Sequence, residues 1–171
     1  KLVDYRRIHI DTDRISLDRP GMAITLNGFA QGFITDRIAQ LLRFEGQQNV
    51  LVDMGETRAL DRHPDGRLWR VGVRDPQDRQ AVVRTLAVEN KAVATSGSYG
   101  HKFDAAGKAN HLFDPRTGGS SQRYASVTVV ASLAATADAL STGLSSLPVA
   151  EMASCLELAR AQTAHVLHQD G

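Results

Sequence analysis

Cysteine is nearly absent from this sequence: Cys155 stands alone, within a stretch that reads as an apolar helix. A lone cysteine forms no internal disulfide, and no spaced Cys or His cluster suggests a zinc site, so Cys155 reads as a core thiol. A run of about 18 apolar residues is also missing, so no segment reads as a membrane span. Charge of one sign is lacking too. Twenty Lys plus Arg stand against 19 Asp plus Glu, scattered along the chain, for a net charge of +1. No global field therefore draws nucleic acid or an anionic membrane. Repeats, linkers and low-complexity stretches are absent. The chain starts Lys1-Leu-Val-Asp-Tyr-Arg-Arg7, without Met and without an apolar export segment. It is expected to be a piece of a longer protein whose export signal lay upstream.

What is present suits one globular domain: 171 residues, 42% apolar and 23% charged. Residues 5 to 25 alternate and turn like short strands, at Arg7 to Ile10, Ile15 to Leu17 and Met22 to Leu26. A helix is predicted next, with Asn27 as N-cap, one apolar stripe of Phe29, Phe33, Ile34, Ile38, Leu41 and Leu42, and Gly46 at its end. Asn49 to Asp53 reads as a buried strand. Arg58 to Val88 reads as antiparallel strands with turns at His63 to Gly66 and Asp75 to Asp78. Ala92 to Thr95 is a strand leading into a Ser96 to Gly100 loop. A hairpin is expected around Ala105 to Lys108, then a tight turn at Asp114 to Gly118. Ser126 to Ala131 is a strong strand, Ala134 to Ser146 a helix, Pro148 the opening of a further helix, and Ala164 to Leu167 a closing strand. Two or three helices with many antiparallel strands make an α+β fold.

Three groups of residues could carry chemistry. Asp138 and Thr142 lie four apart on a predicted helix, so both project from one face, with Ser141 beside them. A carboxylate and hydroxyls so placed can ligate Mg²⁺; the plainer alternative is a solvated face. Asn27-Gly-Phe-Ala-Gln-Gly32 stands at a helix start, where small residues let backbone approach a phosphate. The alternative there is close packing on the sheet. Thr95-Ser-Gly-Ser-Tyr99 could cradle a phosphate or ribose through Ser96 and Gly97, and His111 could take a proton from an attacking hydroxyl. A plain loop and an ordinary turn are the alternatives to these. The other five histidines have no comparable company.

Four ordered segments together resemble the signature of the ApbE family of flavin transferases. They are Leu26-Asn-Gly-Phe-Ala-Gln-Gly-Phe-Ile-Thr-Asp36; Asn49-Val-Leu-Val-Asp-Met-Gly-Glu56; Ala94-Thr-Ser-Gly-Ser-Tyr99 with His111-Leu-Phe-Asp-Pro-Arg-Thr-Gly118; and Ser126-Val-Thr-Val-Val-Ala131 with Ala137-Asp-Ala-Leu-Ser-Thr142. Each is weak singly; their order and spacing over residues 5 to 147 are specific. The resemblance implies an ApbE-like, T-fold-like domain, of which residues 1–171 would be the C-terminal catalytic portion. It implies that Asp138, Thr142, Ser141 and the Gly28 carbonyl hold Mg²⁺, that Thr25, Gln31 and Phe113 contact FAD, and that His111 is the general base. The implied reaction splits FAD at its pyrophosphate, joins FMN through a phosphoester to a Thr or Ser of a target protein, and releases AMP.

The first segment is similar to the NosX branch, which implies a NosR-like target and a role in maturing nitrous oxide respiration. Thr25, Gln31 and Ser98 depart from the family's usual Asp, Lys and acid, and nothing here matches its N-terminal Gly-Ala-Phe-Asp-like flavin-contacting segment. The chain alone is therefore expected to bind FAD weakly or not at all. Hydrolysis of FAD to FMN and AMP, or a non-catalytic flavin-binding assembly role, are the rival readings. Family members act outside the cytoplasm, which implies a periplasmic protein.

Overall fold

The computed structural model describes residues 2–78, 80–104 and 108–169. The tip of the hairpin expected around Ala105 to Lys108 thus lies largely outside the described residues. After a short 3-10 turn at Tyr5–Arg7, the elements in chain order begin with β1 (Ile8–Ile10), β2 (Ile15–Leu17), α1 (Ala30–Phe44), β3 (Val50–Asp53) and β4 (Thr57–Leu60). They continue with β5 (Trp69–Arg74), β6 (Val82–Val88), β7 (Ala92–Gly97), β8 (Ser126–Ala131), α2 (Ala134–Leu144), α3 (Val149–Leu158) and β9 (Thr163–Leu167). A five-stranded sheet runs in the order β3-β4-β7-β8-β9, and β1-β2 and β5-β6 form separate pairs. Every pairing is antiparallel. This is an α+β fold. No helix among the described residues is long and apolar enough to cross a membrane.

The core is layered because strand side chains alternate between faces. On β8, which is buried along its whole length, Val127, Val129 and Ala131 point to one side and pack with Ala134, Ala137 and Leu144 of α2 and Met152 of α3. Cys155 is half-buried against this cluster. Val130 of the same strand points the other way, into a cluster with Val73, Leu86 and Val88 of the β5-β6 pair. Helices therefore cover one face of the sheet and a hairpin the other. Through Ala39, α1 packs on Val52 and Leu60 of β3 and β4.

Four local expectations are corrected. Residues 22 to 26 form no strand. The N-cap of α1 is Phe29, not Asn27, and no side chain of that residue caps the helix. Ser96 and Gly97 are not loop residues: β7 continues through them, paired with Val127 and Ser126. Finally, the apolar stripe of α1 is only partly its buried side: Ile38 and Leu42 pack against the cluster of Ala39, Val52 and Leu60, but the rest does not. Gly32, Thr35, Asp36 and Ala39 are buried, while Phe33, Ile34 and Leu41 are each about half exposed.

The reason lies in how α1 meets α2. A Cβ on Gly32 would stand 2.3 Å from the Ala134 carbonyl oxygen, so only glycine allows this crossing. At that distance the helices exchange caps. The Gly32 N–H donates to Asp138 Oδ2 of α2 at 2.9 Å. In return, the Ala134 and Ala135 N–H groups donate to the two carboxylate oxygens of Asp36 on α1, both at 2.9 Å. Each helix start lacks a side-chain cap of its own, and one amide of α1 and two of α2 are satisfied by an acid on the other helix. Arg58 of β4 adds an ion pair to Asp36 at 3.4 Å.

Candidate functional site

The helix crossing opens onto a cleft of about 470 Å³ lined by residues from separate parts of the chain. Asn27 and Gly28 come from the segment just before α1, Gln31 from its first turn, Thr95, Ser96 and Gly97 from β7, and Asp138 and Thr142 from α2. Glu56, Tyr99, Gly100, His101, His111 and Leu112 complete the lining.

On the α2 wall, Asp138 is 6% exposed, so the solvated-face alternative does not describe it. Burial raises its pKa, while the Gly32 N–H bond opposes the rise. Strand alternation turns Ser96 toward α2, where its hydroxyl shares hydrogen bonds with Ser141 at 2.8 Å and Thr142 at 3.0 Å. Ser141 also donates to the Asp138 carbonyl at 3.0 Å. It is buried behind the cleft rather than lining it. Gly28 sits beside Thr142, whose Cγ2 would lie 3.6 Å from a Cβ placed there. Gln31 reaches back from α1, its Nε2 donating to the Met54 carbonyl at 2.6 Å.

Opposite chemistry comes from the 101 and 111 segments. His111 follows Asn110, which is fully buried and holds its neighbours through bonds to the Leu112 N–H and the Ser121 carbonyl. The His101 backbone N–H donates to His111 Nδ1 at 3.3 Å, and the two imidazoles meet edge to face at 5.8 Å. The following turn is held by Arg116, which grips both oxygens of Asp114 and donates to the Ser146 carbonyl past the end of α2. That guanidinium holds the Asp114 carboxyl below its ordinary pKa. Two residues expected to contact FAD do not line this cleft. Thr25 is exposed and accepts from the Asn27 N–H at 3.3 Å. Phe113 is exposed and stacks on Phe103 at 6.1 Å, outside the cleft lining.

Sequence reasoning assigned no role to Glu56. It follows Gly55, whose φ of +99° suits glycine and turns the chain sharply between β3 and β4. The turn carries Glu56 inward to 9% exposure. Burial first, and the Asp138 charge second, push its pKa up to about 7, against a smaller opposing effect of the Thr95 backbone amide. Its Oε2 has no hydrogen-bond partner. Only its place after a turn glycine could have drawn notice in the sequence.

Among the described residues no three His, Cys, Asp or Glu side chains gather as a metal cluster. The donors at the α2 wall are hard oxygens instead: a carboxylate, hydroxyls and a nearby glycine backbone. That set fits Mg²⁺, which takes few protein ligands and leaves positions for phosphate and water.

Residues 1–167 match the ApbE family model. The chain is 35% identical over 151 residues to the FAD:protein FMN transferase of Haemophilus influenzae, covering 83% of this chain and 44% of that protein. It is 34% identical to the enzyme of the same name from Vibrio cholerae, covering 84% of this chain and 44% of that one. The chain thus spans less than half the length of these curated relatives. The crystal structure of the ApbE protein from Thermotoga maritima superposes with a TM-score of 0.86 at 29% identity, over 99% of this chain and 57% of that one. The apo flavinyl transferase ApbE from Pseudomonas stutzeri gives a TM-score of 0.80 at 28% identity, over 99% of this chain and 53% of that one. A helix crossing that gathers Gly28, Asp138 and Thr142 on one cleft, together with a family match along nearly the whole chain, makes this protein a member of the ApbE family.

Proposed function

We propose that this chain carries the cation-binding and proton-accepting part of an FAD:protein FMN transferase. The observation that carries the reading is one cleft with the buried Asp138 carboxylate and the Thr142 hydroxyl on one wall, and His111 on the same lining. Asp138, Thr142 and the Gly28 carbonyl would hold Mg²⁺, with Ser141 fixing Thr142 through Ser96. Bound there, Mg²⁺ offsets negative charge on the phosphates of FAD and on departing AMP.

The chain's own residues then have defined tasks. The target's Thr or Ser oxygen attacks the phosphorus of the FMN half of FAD. A new phosphoester P–O bond forms as the pyrophosphate P–O bond to AMP breaks, and AMP leaves as the anion. The hydroxyl proton passes to His111. Uptake at Nδ1 displaces the bond from the His101 N–H, whose 3.3 Å length makes it a weak one to lose. Gln31, Ser96 and Gly97 lie where backbone and short polar groups can approach the flavin nucleotide. The NosX-like form of the Asn27 to Asp36 segment supports a NosR-like acceptor in the periplasm.

The test incubates the protein with FAD, Mg²⁺ and a candidate acceptor, reading flavin fluorescence in a denaturing gel and nucleotides by chromatography. Transfer yields a fluorescent acceptor band and AMP without free FMN. Equal FMN and AMP with no labelled band would establish hydrolysis instead, and no consumption of FAD would leave a binding role.

A further inference from the structure

Among the described residues, Glu56 is the one buried acid of the cleft to which the transfer chemistry above gives no task. It lines the same cleft as Asp138 and Thr142, is 9% exposed, and ends in an Oε2 with no hydrogen-bond partner. A buried carboxylate oxygen without a donor is unfavourable unless some group outside the fold satisfies it. The Thr95 backbone amide serves this carboxyl only in part, and Oε2 is left without a donor. No Lys or Arg lines this cleft among the described residues, and Asp138 adds charge of the same sign. The Asp138 charge helps keep Glu56 protonated, and a cation from solution would favour the ionised form of both acids.

We propose that Glu56 is an outer member of the cleft's divalent-cation site, its carboxylate accepting a hydrogen bond from a water bound to the ion. This rests on the reading of Asp138 and Thr142 as ligands. The turn at Gly55 fits the role, because it brings a long acid inward just before β4. An outer carboxylate orients the ion's waters and adds attraction without occupying a coordination position needed by phosphate. Glu56 is a positioning residue in this sense, with no contact to the reacting atoms.

Binding of Mn²⁺ alone, followed by loss of its free-ion EPR signal and by competition with Mg²⁺, tests this with and without added FAD. Glu56→Gln keeps the shape and removes the charge, and its dissociation constant should rise about 10- to 100-fold. Asp138→Asn should abolish binding, and Glu56→Asp should lie between Glu56→Gln and the parent. Parental affinity in Glu56→Gln, with binding lost in Asp138→Asn, would overturn the proposal and leave the cation reading standing. Parental affinity in both variants would remove the cation reading and the proposal with it. Should Glu56→Gln fail to fold, parental affinity in Glu56→Asp would count against the proposal equally.

Discussion

His111 owes its place to neighbours that bear no chemistry themselves. The buried Asn110 and Leu112 on either side anchor the segment, and the imidazole is left on the cleft. His111→Asn should therefore keep the fold and the Mn²⁺ affinity while flavin transfer falls by about 10² to 10⁴. Transfer assays beside melting curves decide it: a lowered melting temperature with unchanged transfer would reduce His111 to a structural residue. The second residue-scale prediction concerns Glu56, whose pKa in the folded chain is raised from 4.5 to about 7. Below pH 4.5 the acid is protonated in both states, and its stabilising effect is whole. As pH rises toward 7, the unfolded chain gives up the proton while the folded chain keeps it, so stability drains away. The loss should approach about 3 kcal/mol by pH 8 with a chelator present. Urea unfolding at pH 5 and pH 8 should show a smaller difference for Glu56→Gln than for the parent; an equal difference would refute the assignment. The candidate metal and base residues were legible because their motif spacing is local. Glu56 was not, since nothing in its neighbourhood of sequence says that the turn leads inward.

At the scale of elements, the exchanged caps between α1 and α2 tie the site to the fold. Asp36 is buried, receives two N–H bonds from the start of α2, and pairs with the half-buried Arg58, whose own pKa burial lowers. Asp36→Ala would strand two amides and an arginine, and should cost on the order of 3 kcal/mol. Gly32→Ala would push a methyl group onto the Ala134 backbone and should cost about 1–3 kcal/mol while spreading the helices apart. Both variants should weaken Mn²⁺ binding more than their stability loss alone explains, because the same crossing positions Asp138. Calorimetry and EPR on one preparation test this, and an unmoved melting temperature for Asp36→Ala would contradict it. The helices themselves were readable from apolar period and length. Their caps were not: Asn27 looked like a cap by type, yet the groups that satisfy these helix starts lie 98 and 106 residues away in sequence.

For the whole molecule, one face of α1 carries Phe33, Ile34, Leu41 and Phe44 in exposed positions. The chain also spans only 44% of its curated relatives, so activity is proposed for the protein in which this chain functions. Its location is proposed as periplasmic. Osmotic-shock fractionation of cells expressing the native gene should release it with the periplasmic contents, and recovery in the cytoplasmic fraction would refute the placement. By itself the sequence determined the α+β class, the order of most strands and helices, and the four-residue spacing that puts Asp138 and Thr142 on one helix face. These follow from period, turn chemistry and local propensity, which act within a few residues. Only the tertiary structure decided that Ser96 and Gly97 extend β7 along β8, that α1 buries its small and polar face, that Phe113 stands outside the cleft, and that Glu56 stands within it. Those outcomes depend on how closely two helices can approach and on which distant amides need an acceptor, and neither is written in any one segment.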